Sequence, residues 1–492
     1  MDEHIVIVGG GLAGLSAGCY ALRNGYRTTI VEHNDALGGV CTAWQRGPYT
    51  VDGCIHWLTG GAFTRIYEEL GIVPNVPVRV LSQWATYRHA RDGFEVTFTR
   101  DLDALVHDLV QLSMDDAEEL DRLRKHAVAF ASVKPPIDAQ ELSSFRETLH
   151  SLWEMRGAAP ALLHFRKPIG QWAREHLVSP RLRQLFTRML PETAPALFLL
   201  MVLGYLEKGY LSRPVGGTAA FRDALAKSYW DQGGAALLGV TAEEILVRDG
   251  RARGVRLGDG TIVEADTVIS TSSAPETVLR MLGSRYDAEA THQRLESWKL
   301  FDPIVLASFG VAKPYPESPA LLIVDGVEPF YVGNRLTDSL YVRTCNDDPS
   351  FAPPGNSVVQ AMLATDYDWW ATRGSLYAET KDATAHAVLG KLEPLFPGIR
   401  EAVRMIDVAT PLTYWNMARS WRGAYEGWMP SAEAFFGHVR KTLAGLNGFY
   451  MAGQWVEPGG GVPSALMSGR QAIQLVCRDD ERRFVAQGHR AQ

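Results

Sequence analysis

The residues here best suited to chemistry on a ligand are three glycines and an acid. Gly9, Gly11 and Gly14 stand in the run Gly9-Gly10-Gly11-Leu12-Ala13-Gly14, and Glu32 follows. Gly9 permits a tight turn, Gly11 lets a pyrophosphate approach the backbone, and Gly14 lets a helix pack closely on a strand. The N-terminus of that helix, beside Leu12 and Ala13, would present free N–H groups to the phosphates. Glu32 lies about twenty residues on, where a carboxylate accepts hydrogen bonds from ribose hydroxyls. It would also repel a 2′-phosphate. His33 adjoins it, and Gly38-Gly39 again allows backbone to crowd the ligand.

Those residues need elements to position them, and the surrounding sequence supplies them. Ile5-Val6-Ile7-Val8 is an apolar run fit for a buried strand. Residues 15–23 read as a helix with Leu15, Cys19 and Leu22 on one face, closed by Asn24-Gly25. Thr28-Thr29-Ile30-Val31 is a second strand ending at the acid. Glycine-rich turns are common, but this one has its strand, helix, second strand and acid in order, which makes it a dinucleotide site.

With 492 residues the chain is too long for one simple core, so two intertwined or consecutive domains are expected. A hydrophobic content of 46% and a charged content of 21% are those of a soluble globular protein. The net charge of −7 gives no reason to expect nucleic acid. Five cysteines (Cys19, Cys41, Cys54, Cys345, Cys477) are scattered without metal or CxxC spacing, which suggests reduced thiols and a cytoplasmic setting. Met1-Asp2-Glu3-His4 leads straight into the first strand, leaving no room for a signal peptide, and no apolar run reaches the ~20 residues that span a bilayer. No metal site is expected.

Further along, residues 49–57 look like a strand returning to the glycine turn. Residues 84–98 read as a hairpin around Asp92-Gly93, residues 101–130 as helix, and residues 142–206 as helix after the Pro135-Pro136 break. Pro214-Val215-Gly216-Gly217 opens another helix, and residues 239–270 form a strand meander ending in a buried strand. Residues 291–434 alternate strands and helices. Residues 447–453 make a last short strand, and Val462-Pro463-Ser464 opens the final helix. The polar tail after Asp480 is expected to fray. A second GxGxxG, a redox CxxC and a GxSxG are absent, which argues against a nicotinamide domain, a flavin disulfide reductase and an α/β-hydrolase.

The glycine unit with Gly38-Gly39, and the C-terminal Ala452-Gly453-Gln454-Trp455-Val456-Glu457-Pro458-Gly459-Gly460-Gly461-Val462-Pro463 with Ser468-Gly469, resemble the phytoene desaturase family. That family includes carotenoid desaturases, carotenoid isomerases and retinol saturases within the FAD amine-oxidase-like flavoproteins. The resemblance covers the FAD framework and is weak across the substrate part. It implies an α/β fold: a Rossmann-type FAD domain from residues 1–75, 210–290 and 435–492, interleaved with an α+β substrate domain from 76–209 and 291–434. It implies that Val240 offers backbone to the adenine, and that Gly453, Gln454, Gly460, Gly461, Val462 and Pro463 hold the diphosphate–ribityl part and the flavin. Many relatives carry an acid where this chain has Gln454. A backbone N–H contact survives that change and a carboxylate contact does not. Pro463 suits a first helical turn, whose positive end could face the flavin pyrimidine edge.

The implied function is an FAD-dependent oxidoreductase acting on C–C or C=C bonds of an apolar polyene, isoprenoid or other lipid-like small molecule, by desaturation, saturation or isomerisation. Its rivals are an amine or porphyrinogen oxidase of the same fold, and a non-catalytic lipid-binding flavoprotein. A region matching the family's return toward the flavin holds Tyr414, Arg422, Tyr425 and Glu426, which with His56 are the groups able to move protons or steady charge. Trp57, Trp84, Trp172, Trp369, Trp370, Trp415, Trp421 and Trp428 could wall an apolar tunnel or fill the core. The run 196–203 is either a core helix or one that dips into a membrane surface. The preceding Arg166, Lys167, Arg174, Arg181, Arg183 and Arg188 could meet headgroups or a substrate carboxylate, or be solvated.

Overall fold

The computed structural model describes residues 3–133, 135–144, 157, 159–346, 348–435, 437 and 439–487. Its centre is a five-stranded parallel sheet. Its order is Ala235–Leu237, Arg27–Val31, His4–Val8, Thr267–Ser270 and Phe449–Met451. The middle strand carries Ile5, Val6 and Ile7 with no exposed surface, as a parallel strand covered on both faces requires. The fold is α/β.

Two helices cross near the glycine turn. Leu12–Arg23 follows the first strand, and Gly461–Asp479 packs along it. The contact is close because small residues line it: a Cβ on Gly469 would stand 2.5 Å from the Ala13 carbonyl oxygen. Ser16 donates to the Leu466 carbonyl at 2.7 Å. The meander is a three-stranded antiparallel sheet, Ala242–Arg248, Arg251–Leu257 and Ile262–Glu264, feeding the central strand Thr267–Ser270.

A seven-stranded sheet forms the other half. It runs Val403–Ala409, Ile304–Val311, Ser357–Ala364, Arg335–Thr344, Leu321–Val332, Gln83–His89 and Glu95–Thr99. The last two strands are the hairpin expected around Asp92-Gly93. Helices Leu102–Leu112 and Ala117–Phe130 follow.

The single helical stretch expected over 142–206 is divided among Ala159–Phe165, Ile169–His176, Pro180–Met189 and Ala196–Glu207. Prolines make the divisions: Pro168 and Pro195 sit at N-caps and Pro180 in a first turn, where a missing N–H costs nothing. Residues 145–156 and 158 of that expectation lie outside the described residues, as does the tail from 488.

Helix Ala196–Glu207 is a core helix. Leu197, Leu199, Leu200, Val202 and Leu203 are buried, so this run does not offer a membrane-facing surface. Among the described residues no helix is long and apolar enough to cross a membrane.

Candidate functional site

A cavity of about 770 Å³ opens at the carboxyl ends of the central strands, where open α/β sheets bind ligands. The glycine turn forms its floor. Gly9, Gly11, Leu12 and Ala13 line it, and Gly38 and Gly39 close over from the far side. The Gly38 N–H donates to the Gly10 carbonyl at 2.9 Å. Gly14 lies behind the floor, where a Cβ would come within 2.0 Å of the Gly9 oxygen, so this position admits only glycine. A Cβ on Gly11 would meet nothing nearer than 3.7 Å, so the space beside it is open.

Glu32 lines the cavity and also builds the turn. One carboxylate oxygen accepts from the Gly10 N–H at 2.7 Å, and the other accepts from the backbone and side chain of Asn34, each at 2.9 Å. Its neighbour His33 shares a 2.7 Å hydrogen bond with Thr241, and the Val240 N–H donates to the Glu32 carbonyl at 3.0 Å. His33 and Val240 therefore stand together at one end of the cavity.

The C-terminal segment forms the opposite wall through Gly453, Gln454, Gly460, Gly461, Val462 and Pro463. Gly460 is the N-cap of the last helix. A Cβ there would lie 2.5 Å from the Glu426 carbonyl oxygen, so glycine lets two chain segments cross. Gln454 donates its side-chain amide to the Tyr425 carbonyl at 2.8 Å. An acid could not make this bond when ionised. The departure at 454 thus fastens the segment that carries Tyr425 and Glu426.

Four of the five proton-handling residues singled out in the sequence line the cavity: His56, Tyr414, Tyr425 and Glu426. Burial pushes the Glu426 carboxyl up to about 7. Burial, with Arg343 nearby, pulls His56 down to about 3, so its imidazole is uncharged near neutrality. Burial pushes both phenols up, Tyr425 with a further contribution from Glu426. The buried Tyr414 hydroxyl finds no hydrogen-bond partner among the described residues. Arg422 is not with them. It sits at the surface, exposed and paired with Asp368, because the turn at 421–423 carries it outward.

The tryptophans that could wall a tunnel or fill the core divide between the two. Trp57 lines the cavity, whereas Trp84, Trp172, Trp370 and Trp428 are fully buried in the core. Trp369, Trp415 and Trp421 do not reach the cavity wall either. Aliphatic, methionine and phenyl side chains do most of the lining, among them Met189, Phe198, Met201, Ile304, Met362 and Phe435. Of the six basic residues before residue 196, Arg188 reaches the cavity, held by Asp325 at 3.0 Å and Asp338 at 2.9 Å. Lys167 pairs with Glu175 and Arg181 with Asp92.

Sequence reasoning passed over Thr271-Ser272-Ser273, which line the cavity just past the strand Thr267–Ser270. The Thr271 hydroxyl lies 2.9 Å from the Val8 carbonyl oxygen and 3.0 Å from that of Gly9, pinning the glycine turn. Small polar residues at the end of a buried strand were the available signal. Trp455 was likewise missed, as were Cys41 and Cys54 as lining residues.

The donor set suits FAD. It has a glycine floor at a helix N-terminus for a pyrophosphate, an acid beside it for a ribose, and a second helix N-terminus across the cavity. Tyr414, whose buried hydroxyl is without a partner among the described residues, also contributes to the wall. Residues 12–477 match the family model described as flavin containing amine oxidoreductase. The chain is 27% identical to a neurosporene-forming phytoene desaturase of Rhodobacter capsulatus, over 96% of this chain and 93% of the relative. It is 24% identical to the chloroplastic prolycopene isomerase 2 of an Oncidium hybrid cultivar, over 97% and 84%. The structure matches that of an oxidoreductase from Methanosarcina mazei with a TM-score of 0.63 at 17% identity, covering 96% of this chain and all of the other. The chain belongs to the flavin containing amine oxidoreductase family and is an FAD-dependent oxidoreductase.

Proposed function

We propose that this protein desaturates, saturates or isomerises carbon–carbon bonds of a long apolar polyene or isoprenoid. The observation that carries this reading is the continuity of the cavity. The glycine floor and the apolar wall from the helical half enclose one space. The named activities of the similar desaturase and isomerase point the same way.

Gly9, Gly11, Glu32, Val240, Gly453 and Val462 would hold FAD, which would supply the acceptance or return of a hydride. The chain's own residues do the rest. The apolar wall aligns the substrate and excludes water, so positioning dominates. Glu426, poised at about 7, takes up or returns the proton that accompanies hydride movement. Tyr414 and Tyr425 keep their protons and steady charge near it. His56 stays neutral and serves as wall and hydrogen-bonding group.

An apolar substrate is carried in lipid, and the described surface offers a place to meet it. Met114 and Leu163 are 70% exposed and Val178 is 58% exposed. The Asp116 carboxylate, two residues along from Met114, accepts the Val178 N–H at 2.5 Å. We place peripheral membrane contact there rather than at 196–203. Paired Met114→Ser and Val178→Ser substitutions should lower co-sedimentation with anionic vesicles. Unchanged sedimentation removes this face from the account.

The function itself is tested by denaturing the purified protein and identifying what is released. FAD together with an isoprenoid or polyene supports the reading. FAD together with an amine or porphyrin supports the rival oxidases.

A further inference from the structure

Cys41 and Cys54 are both free thiols and both line the cavity. They are far apart by the usual motif spacings, but the fold brings them together. Strands Ala43–Arg46 and Tyr49–Asp52 pair antiparallel with Ala43 opposite Asp52. Extending that register outward sets Thr42 opposite Gly53, and the Gly53 N–H donates to the Thr42 carbonyl at 3.0 Å. Cys41 and Cys54 adjoin the two ends of that bond, each in a bend just past the paired strands. The two thiols interact directly, and Cys54 also feels Asp52 and Glu426. Tyr414 in turn feels Cys54. Cys41 stands two residues beyond the Gly38-Gly39 turn that closes over the glycine floor. The pair therefore sits between the glycine floor and the groups assigned to proton movement.

We propose that Cys41 and Cys54 form a redox-active dithiol that exchanges two electrons with the bound flavin. The balance is simple. Two S–H bonds break and one S–S bond forms between Cys41 and Cys54. The two electrons and two protons pass to oxidised FAD, and the reverse returns them. Glu426 is the nearby group able to relay a proton. The pair would give the site an internal store of reducing equivalents in the wall that holds the flavin. The other cysteines cannot serve: Cys19, Cys345 and Cys477 are buried and none lines the cavity. This inference rests on FAD occupying the cavity, so FAD content is measured first in every sample.

The test uses the FAD-loaded full chain. Diamide-treated protein is denatured, alkylated and mapped by mass spectrometry. A Cys41–Cys54 cross-link, with loss of two alkylation sites, is expected. Oxidised protein is then titrated anaerobically with dithionite. The parent should take up two equivalents per flavin, and FAD-loaded Cys41→Ser and Cys54→Ser one each. After the first equivalent, the flavin colour should return as two alkylatable thiols appear. A parent that holds FAD, keeps both thiols and takes up one equivalent overturns the dithiol and leaves the flavin site standing. Loss of FAD from the parent itself overturns the flavin placement instead. Because the mapping is done on the parent, a variant that fails to fold does not shield the proposal.

Discussion

On the cofactor side of the cavity, Gly9, Gly11, Leu12 and Ala13 of one short turn make the floor, with Gly14 packed behind it. On the other side, Phe198, Ile304, Met362 and Phe435 converge from four separate segments, and only their side-chain volume matters. The first surface is fixed by steric necessity: a Cβ at Gly14 would overlap a backbone oxygen. The second is fixed by the packing of the helical half onto the seven-stranded sheet, and many apolar residues could fill it equally well. A backbone surface admits no added side chain without losing its ligand and commits to one ligand part. A side-chain surface drifts and sets which substrate enters.

The largest effect should come from breaking the backbone surface where the fold itself has room. Gly11→Val puts a branched side chain into the open space beside the turn, so the protein should fold and retain no FAD. The flavin absorbance of gel-filtered protein, read beside its circular dichroism, decides this. A folded variant with full flavin content would mean the pyrophosphate lies elsewhere.

Next comes the boundary between the two surfaces. Glu426→Gln should keep FAD and slow turnover about 10²–10⁴-fold, the usual cost of losing an acid–base group. If Glu426 accepts the proton in the slow step, activity should fall as pH drops through about 7. If it donates, activity should fall as pH rises through the same value. The sign of the profile therefore reports the direction of proton transfer, and the Gln variant should flatten it. Stability carries a matching signature. The carboxyl is raised from an ordinary 4.5 to about 7, so its contribution is complete below 4.5 and is lost as pH rises toward 7. Denaturant midpoints of FAD-free parent and Glu426→Gln, measured across that window, should diverge. Parallel curves would show that Glu426 is not buried as described.

The smallest effect should come from the side-chain surface. Phe198→Ala leaves the glycine floor intact and removes one ring from the wall. FAD content should not change, while kcat/KM for a long substrate should drop about 10-fold, with relief for bulkier ones. Equal loss of flavin would show that the two surfaces are not separable.

The same contrast explains what the sequence disclosed. Gly9, Gly11, Gly14 and Glu32 were legible because each answers a local geometric demand within one short stretch. Gly453 to Pro463 were legible for a similar reason, a glycine run opening a helix. The apolar wall was not, because no local pattern separates Phe198, which faces the cavity, from Leu199, which faces the core. Tryptophan number could not decide for the same cause: an indole that fills a core and one that lines a cavity read alike. Arg422 shows the limit from another side. Its neighbours Tyr425 and Glu426 face the cavity, but the left-handed turn at Arg422, with φ of 51°, swings its guanidinium out to Asp368. Cys41 and Cys54 needed the strand register before they could be seen as a pair.

One measurement bears most directly on the central claim that this cavity transforms an apolar polyene on FAD. FAD-loaded protein is incubated anaerobically with phytoene and with a cis-configured polyene in lipid vesicles, and in parallel with a panel of amines, and every product is resolved by chromatography and mass spectrometry. The account predicts a polyene product that differs by two hydrogens, or one of unchanged mass and altered double-bond geometry, with the amines recovered intact. Unchanged polyenes beside an oxidised amine would contradict it.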